Sequence, residues 1–105
     1  MLKYLKRFGM LVDLCLELGY SPEQLTDYLR QKCTPIAFER YNVILQDHLE
    51  DDIKTTKEYS LSFNVTKERV RQIFYNGYRK LDLAVSEKNP NIKGWEYCDT
   101  ILQKK

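Results

Sequence analysis

Four helix-start signals, spread over residues 21–66, limit what this chain can fold into. Each places a hydroxyl residue just before a segment with apolar residues at helical spacing: Ser21-Pro22, Thr34-Pro35, Thr55 and Thr66. A Ser or Thr at this position accepts a hydrogen bond from a free N–H group of the first helical turn, and Pro fits the first helical position. Thr55 and Glu58 also have the spacing of a capping box. The sequence therefore predicts several short helices that begin beside these residues.

Apolar residues at helical spacing indicate six helical segments. They are residues 2–18, a second from Pro22, a third from Pro35 to about Leu49, then 56–63, 67–86 and 94–103. Only four Gly and three Pro interrupt 105 residues, which argues against a many-turned β-sandwich. We therefore expect an all-α fold, a single small domain of five to six helices. Leu2 and Leu102 are expected on apolar helix sides, and Trp95 is expected to pack the last helix onto the body.

Cysteine, histidine and hydropathy patterns argue against several classes of protein. Cys15, Cys33 and Cys98 are widely spaced, and with the single His48 they complete no zinc-binding pattern. Cys15 and Cys98 fall on apolar stripes, so we expect packed free thiols in a reducing cytoplasm. No run approaches the roughly 20 apolar residues that span a bilayer, and nothing resembles a signal peptide. The sequence predicts a cytoplasmic protein that is not an enzyme and that uses no metal, cofactor or membrane partner.

Residues 55–81 carry the strongest functional pattern. A short capped helix, a turn of about three residues around Asn64, and a longer helix after Thr66 are typical of a helix-turn-helix. Asn tolerates the left-handed backbone conformation that suits such a turn. The core-facing stripe of the longer helix is Val70, Ile73, Phe74, Gly77 and Leu81. Its opposite side is polar and carries Glu68, Arg71, Gln72, Tyr75, Asn76 and Arg79, flanked by Lys67 and Arg69.

The charge of the longer helix favours a polyanionic partner more than the whole-chain net charge of +2 does. Residues 66–81 hold five basic side chains and one acidic side chain, Glu68. Arg can donate two hydrogen bonds to guanine, Gln can pair with adenine, and Glu can accept from the cytosine amino group. An acidic residue among basic ones is typical of a face that reads bases. Because charged helix sides are also commonly just solvated, the charge pattern alone leaves both interpretations open.

One nine-residue run, with a second short run downstream, resembles a known family. The runs are Val65-Thr66-Lys67-Glu68-Arg69-Val70-Arg71-Gln72-Ile73 and Arg79-Lys80-Leu81. They resemble the helix-turn-helix of region 4 in bacterial sigma factors, which reads V-[ST]-R-E-R-V-R-Q-I and then L-R-K-L. The resemblance covers about residues 36–82. Asn64 replaces the family's usual Gly, and Phe74, Tyr75 and Tyr78 are bulkier than the family's residues.

The resemblance implies that the longer helix reads the promoter −35 element. The candidate DNA-binding residues are Thr66, Lys67, Glu68, Arg69, Arg71, Gln72, Tyr75, Asn76, Arg79 and Lys80. Region 4 of the family also docks on the β-subunit flap of RNA polymerase through the helices before the reading helix. The third helix has more apolar width than a core should need, so we expect the flap to bind there. The candidate partner-binding residues are Phe38, Tyr41, Ile44, Leu45, Tyr59 and Phe63.

These patterns together predict a domain organisation and a function. Residues 1–34 would be an N-terminal helical extension, 35–86 the region 4-like core, and 87–105 a C-terminal helix. Because about 35 residues precede the match, too few for the −10-binding region, we expect a freestanding module, phage-encoded or part of a split sigma factor. The expected function is sequence-specific binding of double-stranded DNA at the nucleoid, in transcription initiation or its regulation, acting with RNA polymerase. The alternatives are a module that binds polymerase or a sigma factor without reading DNA, and a DNA-binding accessory of a phage terminase or a transposase. The oligomeric state stays open.

Overall fold

The helix starts expected from the sequence are helix starts in the structure. Four hydroxyl side chains each accept a hydrogen bond from the backbone N–H three residues further on: those of Ser21, Thr34, Thr55 and Thr66. Two of these caps are reciprocal, because the side chains of Gln24 and Glu58 accept hydrogen bonds from the cap N–H groups of Ser21 and Thr55. Local sequence therefore determines where four of the helices begin.

The computed structural model describes residues 3–103, and all regular secondary structure over this range is helical. Its helices are α1 (Lys3–Glu17), α2 (Pro22–Lys32), α3 (Pro35–Leu49), α4 (Thr56–Phe63), α5 (Lys67–Lys88) and α6 (Gly94–Gln103). These six helices confirm the predicted all-α fold. Helix α5 runs two residues past its expected end at Ser86. Leu2 and the side chain of Leu102, both expected on apolar helix sides, lie outside the described residues.

Helix α5 is the central element, since α1, α2, α3, α4 and α6 all pack against it. Val70 and Phe74 of its predicted core stripe are fully buried. Gly77 lies in the same stripe and permits an unusually close approach. A Cβ atom at Gly77 would lie 2.8 Å from the ring of Phe8 in α1 and 3.2 Å from the ring of Tyr41 in α3. The absence of a side chain at Gly77 thus allows α1 and α3 to pack tightly on α5.

Helix α1 packs along α5 and buries one whole side in the core. Phe8, Leu11 and Val12 of this side are fully buried. The chain then reverses at Gly19, whose φ of +108° lies in a region that favours glycine. Gly19 therefore ends the helix as predicted, and the N-terminal extension is an integral part of the core.

Helix α6 packs on the body through its backbone and Cys98, and the expectation for Trp95 is wrong. The Trp95 side chain is 47% exposed. The Gly94 N–H donates to the Asp82 carboxylate at 2.8 Å, and Gly94 also lies close to Leu11. Because successive helical residues point about 100° apart, this contact at Gly94 turns Trp95 away from the body. An ion pair between Arg7 and Asp99 joins α6 to α1.

The thiols are packed side chains, as their positions on apolar stripes predict. Cys15 and Cys98 are buried, and burial raises the pKa of Cys15 to about 12 and the pKa of Cys98 to about 11. Among residues 3–103 no group of three or more His, Cys, Asp or Glu side chains is placed to hold a metal ion. None of the helices described in this range is long and apolar enough to cross a membrane.

Candidate nucleic-acid interface

A three-residue turn joins α4 to α5. Asn64 has φ 57° and ψ 48°, the left-handed conformation predicted for it, and its N–H group caps α4 by donating to the carbonyls of Leu61 and Ser60. The Val65 N–H donates to the Ser60 carbonyl at 3.1 Å. Thr66 then begins α5 by accepting from the Arg69 N–H at 3.1 Å. The α4–turn–α5 unit therefore has the helix-turn-helix order expected from the sequence.

Tyr59 fixes the angle between α4 and its neighbours. Its ring packs edge-on against Phe74 of α5, with centroids 5.8 Å apart, and only 1% of the residue is exposed. Its hydroxyl donates to the Asp47 carboxylate of α3 at 2.8 Å and accepts from the Lys54 N–H at 3.3 Å. Burial, and then the hydrogen bond to Asp47, raises the pKa of the Tyr59 hydroxyl. Tyr59 thus ties α4 to both α3 and α5.

One side of α5, which we name the polar face, is open to solvent. It consists of Glu68, Gln72, Tyr75, Asn76 and Arg79, all exposed. The flanking candidates Thr66, Lys67 and Arg69 are also exposed, whereas Arg71 and Lys80 are half-buried. The structure therefore brings together the ten residues proposed for DNA contact along one helix, and leaves eight of them accessible.

Hydrogen bonds between neighbouring turns orient the polar face. Arg71 forms an ion pair with Glu68, and Arg69 donates to the Gln72 side-chain oxygen at 3.0 Å. The Nε atom of Arg71 is buried and has no hydrogen-bond partner among the described residues. The Arg79 guanidinium lies 5.8 Å from the centroid of the Tyr75 ring. These contacts link the long side chains of successive turns on the exposed side of α5.

Helix α1 covers one edge of the polar face. The ring of Tyr4 packs edge-on against Tyr75, with centroids 4.9 Å apart, and also contacts Tyr78 at 6.0 Å. Tyr75 is nevertheless 37% exposed, and Tyr78 is in the core. The N-terminal extension therefore borders the polar face without closing it.

Four of the six residues expected to dock on the polymerase flap are instead core residues. Tyr41, Ile44, Leu45 and Tyr59 are all at most 6% exposed, so the prediction that they line a docking surface is wrong. The extra apolar width of α3 is buried by three neighbours, because α1, α2 and α5 all pack on it.

The remaining two candidates, Phe38 and Phe63, are half-buried. The Arg30 guanidinium lies 5.0 Å from the Phe38 ring, and Phe63 stacks on Tyr59 with centroids 5.6 Å apart. The large apolar side chains that α3 and α4 do expose are Ile36 (66%), Val43 (39%) and Leu61 (73%). A partner docking on these helices would meet those side chains first.

A cleft of about 860 Å³, which we name the α1 cleft, separates α1 from the N-terminal ends of α4 and α5. Lys6 of α1, Lys57 of α4 and Lys67 of α5 line it. At its far end the half-buried side chain of His48 forms a hydrogen bond with Asp13 at 2.9 Å. Sequence reasoning missed Lys6, since only the tertiary packing of α1 brings it near Lys67.

The polar face and the α1 cleft beside it both gather polar and charged side chains around the helix-turn-helix. They meet at the N-terminal end of α5, and Arg71 borders both. Comparison of the chain with protein-family models, with curated proteins and with solved structures finds no match.

Proposed function

We propose that this protein binds double-stranded DNA through the polar face of α5, in transcription initiation or its regulation, together with RNA polymerase. The observation that carries the proposal is the exposure of the polar face on a helix that follows a capped three-residue turn. A recognition helix in a helix-turn-helix needs that arrangement, because its first turns must reach the base edges.

The side chains of the polar face match the groups displayed in the major groove. Gln72 and Asn76 each offer an amide, which pairs with adenine through one donor and one acceptor. Arg79 can donate two hydrogen bonds to guanine or contact phosphate, and Glu68 can accept from the cytosine amino group. Glu68 positions Arg71 through an ion pair and weakens purely electrostatic attachment to a polyanion. The mixture therefore favours base reading over simple charge neutralisation.

The length and position of α5 also suit a groove. Its 22 residues extend for about 33 Å, and the polar face runs along it from Glu68 to Arg79. Helix α4 packs on α5 through Tyr59 and Phe74, and in this motif the first helix meets the phosphate backbone.

RNA polymerase is the partner that the resemblance to sigma region 4 implies. One reading helix gives one half-site of contacts, and such modules gain affinity by dimerising or by attachment to another DNA-bound protein. Because Ile44 and Leu45 are in the core, a polymerase contact on α3 or α4 has to use exposed side chains such as Leu61.

A selection of bound sites from random duplex DNA tests the DNA-reading part of the proposal. We expect the wild-type protein to enrich one short motif. Gln72→Ala should enrich a relaxed motif, and the control Thr100→Ala, on the exposed side of α6, should enrich the wild-type motif. Failure of the wild type to enrich any sequence would overturn base reading and favour the module that binds polymerase or a sigma factor only.

Footprinting with and without bacterial RNA polymerase tests the partner. We expect weak protection of the selected site by the protein alone and strong protection when polymerase is added. Leu61→Ala, which removes the exposed apolar side chain without adding a charge, should reduce the gain from polymerase and leave the binding of the protein alone unchanged. Strong protection without polymerase, with no polymerase retained, would instead favour an independent regulator or a terminase or transposase accessory.

A further inference from the structure

The α1 cleft lies beside the part of α5 that would enter the major groove. Lys67 and Arg71, one helical turn apart at the start of α5, line the cleft on one side. Lys6 and Met10 of α1 line the other side. The start of α5 therefore belongs to the polar face on its outer side and to the cleft on its inner side.

The cleft carries a positive charge that the protein does not neutralise. Lys6, Lys57 and Lys67 come from three different helices, are exposed, and have no ion pair among the described residues. A fourth lysine, Lys54, is engaged by Asp52 at 2.8 Å and Asp47 at 3.6 Å.

Among the described residues, Asp13 is the acidic side chain that lines the cleft, and its hydrogen bond to His48 neutralises it only when the imidazole is protonated. Glu68 is ion-paired with Arg71. Three ammonium groups without an ion-pair partner thus face the single carboxylate of Asp13, so the net charge of the cleft is positive and favours an anion.

We propose that the α1 cleft holds the phosphate backbone of the duplex whose bases the polar face reads, with Lys6 of α1 as a phosphate contact. This inference rests on the proposed function and adds α1 to the DNA interface. An ammonium group on a flexible stem is a point charge that meets a phosphate without strict geometry, which suits contacts that hold the duplex without reading it.

The geometry favours a backbone over an acidic protein segment. Lys67 suits a phosphate, and the adjacent Glu68 suits a hydrogen-bonding base edge. A duplex displays these two groups side by side at every base pair. The ring contact between Tyr4 and Tyr75 holds the N-terminal end of α1 against α5. Lys6 lies two residues after Tyr4, so this ring contact also keeps Lys6 beside the α1 cleft.

The salt dependence of duplex binding by the whole 105-residue chain tests this contact. The variants are Lys6→Gln, which removes the charge, Lys6→Arg, which keeps it, and Lys93→Gln as a matched control. Lys93 is an exposed lysine between α5 and α6, at the end of α5 opposite the cleft. Binding of a labelled mixed-sequence duplex is measured between about 50 and 200 mM salt. Circular dichroism melts check that each variant is folded.

We expect the slope of log K against log salt to become shallower by about 0.9 for Lys6→Gln, the change that follows when one phosphate of duplex DNA is no longer neutralised. Lys6→Arg and Lys93→Gln should keep the wild-type slope. An unchanged slope for Lys6→Gln, while the wild type binds, would overturn the inference and leave the proposed function standing. An equally large change of slope for Lys93→Gln would show that the slope reports only the net charge of the protein, and this would also overturn the inference. No duplex binding by the wild type would overturn both proposals.

Discussion

Single hydroxyl groups at the helix starts determine much of this fold, and Thr66 is the one on which the candidate interface depends. Its side chain accepts from the Arg69 N–H at 3.1 Å, in the first turn of α5. That turn carries Lys67 and Glu68, so a helix that frayed there would lose the geometry of the polar face as well as stability. The Thr66 cap therefore links local sequence to the interface directly.

Thr66→Ala should lower the free energy of unfolding by about 1 kcal/mol, because the first turn of α5 loses a hydrogen-bond acceptor. Urea denaturation followed by circular dichroism measures the change. Thr100→Ala is the matched control, since Thr100 is exposed in α6 and caps no helix. Equal stability of Thr66→Ala and the wild type would mean that α5 is not held by this cap.

The buried thiol of Cys15 predicts a loss of stability in alkali. Burial raises its pKa from an ordinary value of 9.0 to about 12 in the folded state. Since the unfolded chain gives up this proton first, stability is complete below about pH 9 and declines as the pH rises toward 12. Denaturant titrations across this range should show the decline, and it should be smaller for Cys15→Ala. A Cys15→Ala profile parallel to the wild type would assign the decline to other groups, such as Tyr28 and Tyr59.

At the scale of helices, the sequence predicts where a helix begins and which of its sides carries polar or apolar side chains. Some features depend only on residues a few positions away, so the sequence alone can predict them. They are the caps at Ser21 and Thr55 and the left-handed turn at Asn64. The burial of Ile44 and the exposure of Trp95 depend on which helices pack beside them. The spacing of apolar residues shows that a helix has an apolar side. It does not show how many other helices pack on that side, because this depends on the tertiary structure.

The corrected role of α3 leads to a prediction about Ile44 and its neighbour Val43. Ile44 is fully buried, whereas Val43 is 39% exposed on the same helix. Ile44→Ala should lower the free energy of unfolding by roughly 2–5 kcal/mol, because it leaves a cavity in the core. Val43→Ala should change it by much less. Denaturant unfolding of both variants measures this difference. A small effect of Ile44→Ala would restore α3 as a surface for a partner.

At the scale of the whole molecule, α1 is the feature that the sequence placed least well. The segment 1–34 reads as an extension, yet Phe8, Leu11 and Val12 are core residues that pack with α5. Lys6 and Lys67 are 61 positions apart in the sequence (67 − 6), and no local pattern links them. The candidate interface is therefore only partly contained in residues 55–81. The polar face is formed by residues close together in the sequence. The adjoining α1 cleft is formed by the packing of α1 beside α5.

This division predicts two kinds of DNA contact that mutagenesis can separate. Glu68→Ala removes an acceptor at the start of the polar face and releases Arg71 from its ion pair. It should relax the preference for the selected motif by about 1–3 kcal/mol relative to a scrambled duplex, the range for one good base contact. Arg79→Ala and Lys80→Ala, further along α5, should weaken binding to both duplexes alike.

Competition assays with the selected and scrambled duplexes, repeated across a salt series, measure both effects. Removing the side chain that neutralises one phosphate should flatten the salt dependence by about one unit. Arg79→Ala and Lys80→Ala should therefore change this slope, while Glu68→Ala leaves it close to the wild type. Lys6 on α1 and Lys80 on α5 would each neutralise a different phosphate. The slope of the double variant Lys6→Gln/Lys80→Ala should therefore become shallower by the sum of the two single effects. Uniform losses on both duplexes from all the α5 variants would mean that α5 attaches the protein to DNA without reading its sequence.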